Sequence, residues 1–169
     1  MSARPPLASA GLQVETIADA TGWGDMGRYT ALVERAVDAA GSITQYKGQS
    51  TLVVLLTDDT HMRQLNRDFR HQDRATNVLS FPANLSDASL LGDIALGYET
   101  VQQEADRDGK SLDDHLTHLV IHGALHLLGY DHENEATARE MEALEIAALS
   151  ALGIANPYNI DDFSTDTIA

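Results

Sequence analysis

The segment from 122 to 132 reads His-Gly-Ala-Leu-His-Leu-Leu-Gly-Tyr-Asp-His. His122 and His126 are four residues apart, so on a helix their rings leave the same face and can reach one ion. Gly129 can take the left-handed conformation that ends a helix, after which the chain can turn back and present His132 as a third ligand. Three protein ligands and an open position are the pattern of catalytic rather than structural zinc. Neutral imidazoles leave the ion's double charge uncompensated, which makes it a strong Lewis acid and lowers the pKa of bound water toward neutrality. Zinc suits an all-imidazole set best, with nickel and copper also compatible with the ligand type. A histidine pair at this spacing is common on helices without any role. The glycine stop and the third histidine lift it above coincidence. The expectation is one Zn(2+) per chain, with a zinc-bound water held by His122, His126 and His132 as the hydrolytic group.

The motif resembles that of metzincin metalloproteases, in which a Glu follows the first histidine and serves as general base. Here that position is Gly123, which can take no proton, so the sequence argues against a peptidase of that mechanism. The base is then another group, the metal-bound hydroxide or a substrate oxygen. His115 and His118 share the histidine stripe of the same helix. His118 reads as a contact to a ligand histidine or to substrate, or equally as a hydrogen-bonded residue with no such role; His115 reads as surface. Asp131 reads as a cap on the turn that presents His132, or as a group that orients a ligand histidine.

These residues need elements to hold them. The motif helix opens at Ser111, with Asp114 in capping-box position, and stops at Gly129. A further helix spans roughly 134 to 152 and ends at Gly153. Upstream, residues 12–17 alternate as a strand, and Tyr29, Leu32, Val33, Ala36, Val37 and Ala40 form a helical stripe with Gly41 as its stop. Residues 51–56 read as a strand, and Thr57-Asp58-Asp59 offers caps for a helix running to about Phe69, with Met62, Leu65 and Phe69 as its apolar stripe. Residues 77–81 form a strand stopped by Pro82, 83–91 a loop, 93–98 a strand and 100–108 a short helix. The sum is one α/β domain over 1–155, with about four strands and four or five helices, after a loose leader at 1–10. An acidic tail at 156–169, carrying Asp161, Asp162 and Asp166, lacks periodicity and is expected to be mobile.

Composition bounds the rest. With 169 residues the chain fits one domain. It has no cysteine, so neither disulfides nor thiolate ligands are available. No apolar run approaches the roughly 20 residues that span a bilayer, and no signal peptide is visible, which leaves the cytoplasm as the expected compartment. Eleven Lys and Arg against 26 Asp and Glu give a net charge of −15, which opposes nonspecific nucleic-acid binding. The densest basic cluster is Arg63, Arg67, Arg70 and Arg74.

The residues from 122 to 132 resemble the signature of the YbeY family of bacterial endoribonucleases. Leu65-Asn66, Phe69-Arg70, Asp73, Thr76 and 78–82 resemble a second block of that family, Leu91-Gly92-Asp93-Ile94 a third, and Glu140-Met141-Glu142 the helix after the metal motif. The resemblance covers most of 50–145, in order. It implies a compact α/β fold with a small mixed sheet and one zinc in a cleft. It further implies single-stranded RNA as substrate, maturation of the 3′ end of 16S ribosomal RNA, and a part in ribosome quality control. It carries His122, His126 and His132 over as zinc ligands and Arg70 as the residue that meets RNA. Asn77 departs from the Asp that the family often has there. Chemistry fits in part: a guanidinium offers phosphate a rigid, permanently charged fork, with a salt bridge to a surface carboxylate as the lesser alternative for Arg70. Ser80 could donate to substrate or backbone, and Asp93 could serve its own loop or orient a ligand histidine.

Three functions compete: zinc-dependent RNA hydrolysis, a non-nuclease metallohydrolase acting on a peptide or ester, and a zinc-containing assembly factor. Small-subunit ribosomal proteins or assembly factors are candidate partners of the third, since the acidity suits basic ones. Cleavage could run by water attack or through the ribose 2′-hydroxyl, and the residues do not choose between them.

Overall fold

The computed structural model describes residues 11–83 and 89–158. The leader at 1–10, most of the expected 83–91 loop and most of the acidic tail lie outside the described residues. Four strands, β1 (Leu12–Ala18), β2 (Ser50–Thr57), β3 (Val78–Pro82) and β4 (Leu90–Gly97), form one sheet in the order β1-β2-β4-β3. β1, β2 and β4 are parallel; β3 runs antiparallel to β4 at the edge, so the sheet is mixed. Pro82 does not stop β3 but closes it, paired with Gly92. An edge position tolerates the missing N–H. β4 starts three residues earlier than the sequence suggests. Its pairing with β2 slips between Thr51 and Leu52, and Gly92 sits at φ 147°, so a bulge interrupts the alternation that would have marked the strand.

Five helices accompany the sheet: α1 (Met26–Ile43), α2 (Asp59–Arg70), α3 (Tyr98–Arg107), α4 (Leu112–Leu127) and α5 (Glu135–Ala151). The expected stripe of α1 is buried throughout, but the helix continues past Gly41 to Ile43, because Gly41 is itself packed in the interface. Asp58 caps α2 by accepting from the His61 N–H at 2.8 Å. Of the α2 stripe only Met62 is fully buried; Phe69 is 60% exposed and sets its ring edge-on to Phe81 at 5.4 Å. The sheet is therefore covered unequally. Leu52, Val54, Leu56, Val78, Ile94 and Leu96 face the main core with α1, α4 and α5. Met62, Leu79 and Ala95 form a smaller cluster under α2.

α4 is the central helix, with 12 of its 16 residues buried, and this determines where its histidines go. Gly123 faces the sheet: a Cβ there would lie 3.0 Å from the Ile94 side chain. His115 is buried rather than on the surface, its Nε2 2.8 Å from Glu104, which also accepts from Asn77 at 3.0 Å. Burying the whole helix, not one stripe of it, draws this histidine inside. No helix among the described residues is long and apolar enough to cross a membrane.

Candidate metal centre

α4 ends in the turn that the sequence requires. Gly129, at φ 105°, follows the helix; its N–H donates to the His126 carbonyl at 3.0 Å, and the Tyr130 N–H donates to the Leu125 carbonyl at 3.0 Å. This is the left-handed glycine cap in its two-bond form. It reverses the chain, so that the ligand nitrogens of His122, His126 and His132 all lie within 4.8 Å of one another. Exposure rises along the set, from buried His122 to exposed His132, so the group opens on one side to solvent.

The far nitrogens of two rings fix their tautomers. His126 Nδ1 lies 3.1 Å from the Tyr130 carbonyl, which can only accept, so Nδ1 carries the proton. His122 Nδ1 lies 2.7 Å from Glu145 Oε2. Burial works against the Glu145 carboxylate, but the hydrogen bonds it accepts from His118 and His122 outweigh it and hold it well below the ordinary carboxylate range. Glu145 is thus an acceptor, and His122 donates Nδ1–H to it. Both Nε2 atoms then present lone pairs, 3.1 Å apart. Burial, with repulsion from His122 and His132, lowers the His126 pKa to about 4, so this ring is an unprotonated acceptor at neutral pH. Two nitrogens facing each other at this distance, with a third imidazole alongside, can accept a cation between them. Tetrahedral zinc with bonds of about 2.0–2.1 Å sets its nitrogens roughly 3.3 Å apart, close to this spacing. His122, His126 and His132 could therefore coordinate a metal, and their donor set fits zinc.

Glu145 is a site residue that the sequence pattern does not single out. It is 1% exposed on α5, in line with the buried Met141, Ala148 and Leu149. A carboxylate at that register of an otherwise apolar stripe was the available signal. Its Oε1 accepts from His118 Nε2 at 2.7 Å and from the Tyr158 hydroxyl at 2.5 Å. Burial lowers the His118 pKa, so its ring is a neutral donor. Burial and the Glu145 charge raise that of Tyr158, which stays protonated. His118 thus meets Glu145, which in turn holds a ligand histidine. Tyr158 comes from the segment expected to be tail.

Beside the triad lies a cleft of about 610 Å³, lined among others by Arg70, Arg74, Ser80, His126, Asp131 and His132. Arg70 donates to the Ser80 carbonyl at 2.6 Å and stands 5.2 Å over the Phe81 ring; no carboxylate partners it among the described residues. The Ser80 hydroxyl donates to the Gly123 carbonyl at 3.4 Å. Asp131 accepts from the Glu133 N–H at 3.1 Å, steadying the turn around His132. Asp93 is exposed on β4, and the rings of His122 and His126 are oriented by Glu145 and Tyr130.

A three-histidine cluster that could hold a metal, beside a cleft on a mixed α/β sheet, fits the class of metal-dependent hydrolases. Residues 17–153 match the family described as Endoribonuclease YbeY, and the chain belongs to that family. Proteins of that name are similar to it: one from Chelativorans sp. is 56% identical over 132 residues, covering 75% of this chain and 81% of that protein. Another, from Sphingopyxis alaskensis, is 48% identical over 168 residues, covering 89% and 99%. The solution structure of TM1509 from Thermotoga maritima shares the fold, with a TM-score of 0.56 at 24% identity, over 91% of this chain and all of that one.

Proposed function

We propose that the chain is a zinc-dependent, single-strand-specific endoribonuclease acting in 3′-end maturation of 16S ribosomal RNA and in ribosome quality control. Family membership and the histidine cluster together support the endoribonuclease role in ribosomal RNA maturation. The observation that carries the metal is the pair of Nε2 atoms 3.1 Å apart whose other nitrogens are already donating. A zinc ion held by His122, His126 and His132, one per chain, would supply Lewis acidity and a water of lowered pKa. Arg70 would bind the scissile phosphate and offset the charge that builds on its oxygens. Its present partners are neutral, so its charge is available to phosphate. Gly123 has no side chain and its position faces Ile94, so it supplies no general base. The proposed compartment is the cytoplasm.

The test compares the native protein with His126→Ala and Arg70→Ala on a single-stranded RNA and on its duplex. The native protein is expected to cut the single strand, and to lose that activity on chelation. His126→Ala is expected to lose both metal and activity. Arg70→Ala is expected to keep metal and fold while losing cleavage worth several kcal/mol if the contact forms mainly in the transition state (of order 2–4 kcal/mol). Cleavage that survives both substitutions would refute the reading. A second reading, a zinc-containing assembly factor that binds basic ribosomal proteins, draws on the net charge of −15. It requires that His126→Ala still bind such partners and support cell function.

A further inference from the structure

We propose that Arg74 is a second phosphate-binding residue, holding the RNA backbone next to the phosphate that Arg70 meets; this rests on the endoribonuclease reading. In a chain this acidic, most arginines are neutralised locally. Arg28 pairs with Asp113, Arg63 with Asp73, Arg67 with Asp68, Arg107 with Asp108 and Arg139 with Glu135. Arg35 on α1 has no such pair either, but of the described arginines without one only Arg70 and Arg74 lie at the same cleft. Both line the cleft beside His126 and His132, and neither has a carboxylate partner among the described residues. Arg74 gives Nε–H and one terminal N–H to the side-chain oxygen of Gln72, at 3.1 and 2.8 Å. That acceptor is neutral, so the full positive charge and the remaining donors stay available.

The loop holds Arg74 in place. Asn66, only 4% exposed, donates its side-chain N–H to the Arg74 carbonyl at 2.9 Å, and the Arg74 N–H donates to the Gln72 carbonyl at 2.9 Å. Asp73, the acidic neighbour, is taken up by Arg63 at 2.7 Å. Asp131 and Glu133, next to His132 in the chain, also line the cleft. The two arginines without a carboxylate partner bring positive charge to the cleft, and a polyanion is drawn to them. A chain with a phosphate on Arg70 has its next phosphates within the same cleft, where Arg74 supplies a charge-assisted fork. A mononucleotide would not use it; a strand would.

The experiment measures kcat and KM on a short single-stranded RNA over a range of salt, for the zinc-loaded native protein, Arg74→Ala, Arg74→Lys and Arg28→Ala. Arg28→Ala removes the same charge from a pair outside the cleft. Arg74→Ala is expected to keep zinc content and melting midpoint, to raise KM about tenfold with kcat unchanged, and to flatten the logarithmic salt dependence by about 0.7. Arg74→Lys is expected to recover part of the KM and the salt slope, and Arg28→Ala to match the native protein. Native-like KM and slope in Arg74→Ala, while the native protein cleaves, would overturn this inference alone. An equal rise in KM for Arg28→Ala would also overturn it, by reducing the effect to net charge. Absence of cleavage by the native protein would overturn the endoribonuclease reading along with it.

Discussion

Glu145 decides how the ligand set is held. Its carboxylate takes the Nδ1–H of His122 and the Nε2–H of His118, both at 2.7 Å, and is itself buried. Orienting partners of this kind fix the tautomer and raise the basicity of the ligand, and losing them costs about 10–100-fold in metal affinity. Glu145→Gln is therefore expected to fold, to retain His122, His126 and His132, and to bind zinc about 10–100-fold more weakly in competition with a chelator. An unchanged zinc affinity would show that Glu145 is only a packing residue. The histidines themselves were legible because their spacing and Gly129 form one local pattern. Glu145 was only partly so: its place in an apolar stripe marks it as buried, but its role depends on which face of α5 lies against α4, and no local spacing carries that. Tyr130 is a similar case, since it acts through its carbonyl, which any residue would supply.

Helix starts are more legible in this sequence than helix stops. Asp58, Ser111 and Asn134 each cap a helix with a side-chain oxygen on an N–H three residues ahead, and those starts are visible in sequence. The stops depend on packing as well as on residue type. Gly41 leaves α1 unbroken, whereas Gly129 ends α4. A Cβ at Gly129 would meet nothing within 4 Å, so the demand there is conformational, set by φ 105°. Gly129→Ala is accordingly expected to cost about 1–2 kcal/mol through backbone strain alone. It should also displace His132, weakening zinc binding. Chemical denaturation of the metal-free protein and zinc competition would measure the two effects. A substitution that leaves both unchanged would mean that the turn does not depend on its glycine. The start of β4 is hidden for a related reason: a bulge at Gly92 breaks the period by which a strand is recognised.

At the scale of the whole molecule, metal, protons and fold are linked. The lowered pKa values of His126 and His118 come from burial, and that of Glu145 from its histidine bonds. All three oppose protonation in the folded state. For His126 the unfolded chain binds a proton near pH 6.5 and the folded one only near pH 4, so the metal-free protein is expected to lose stability as pH falls through that window. Denaturant midpoints between those values test it; a flat profile would contradict it. Zinc should resist the loss, because it binds the unprotonated rings and favours the folded state. The tail divides at Tyr158, whose hydroxyl reaches Glu145. We expect truncation after Tyr158, which removes residues 159–169, to leave zinc content and cleavage intact. The central claim, that one metal on three histidines performs the cleavage, is tested most directly by titrating zinc into metal-free protein while following cleavage of single-stranded RNA. The rate is expected to rise linearly and break at one equivalent per chain, with no rise in His126→Ala. A rate indifferent to zinc, or one that continues to rise to a second equivalent, would contradict it.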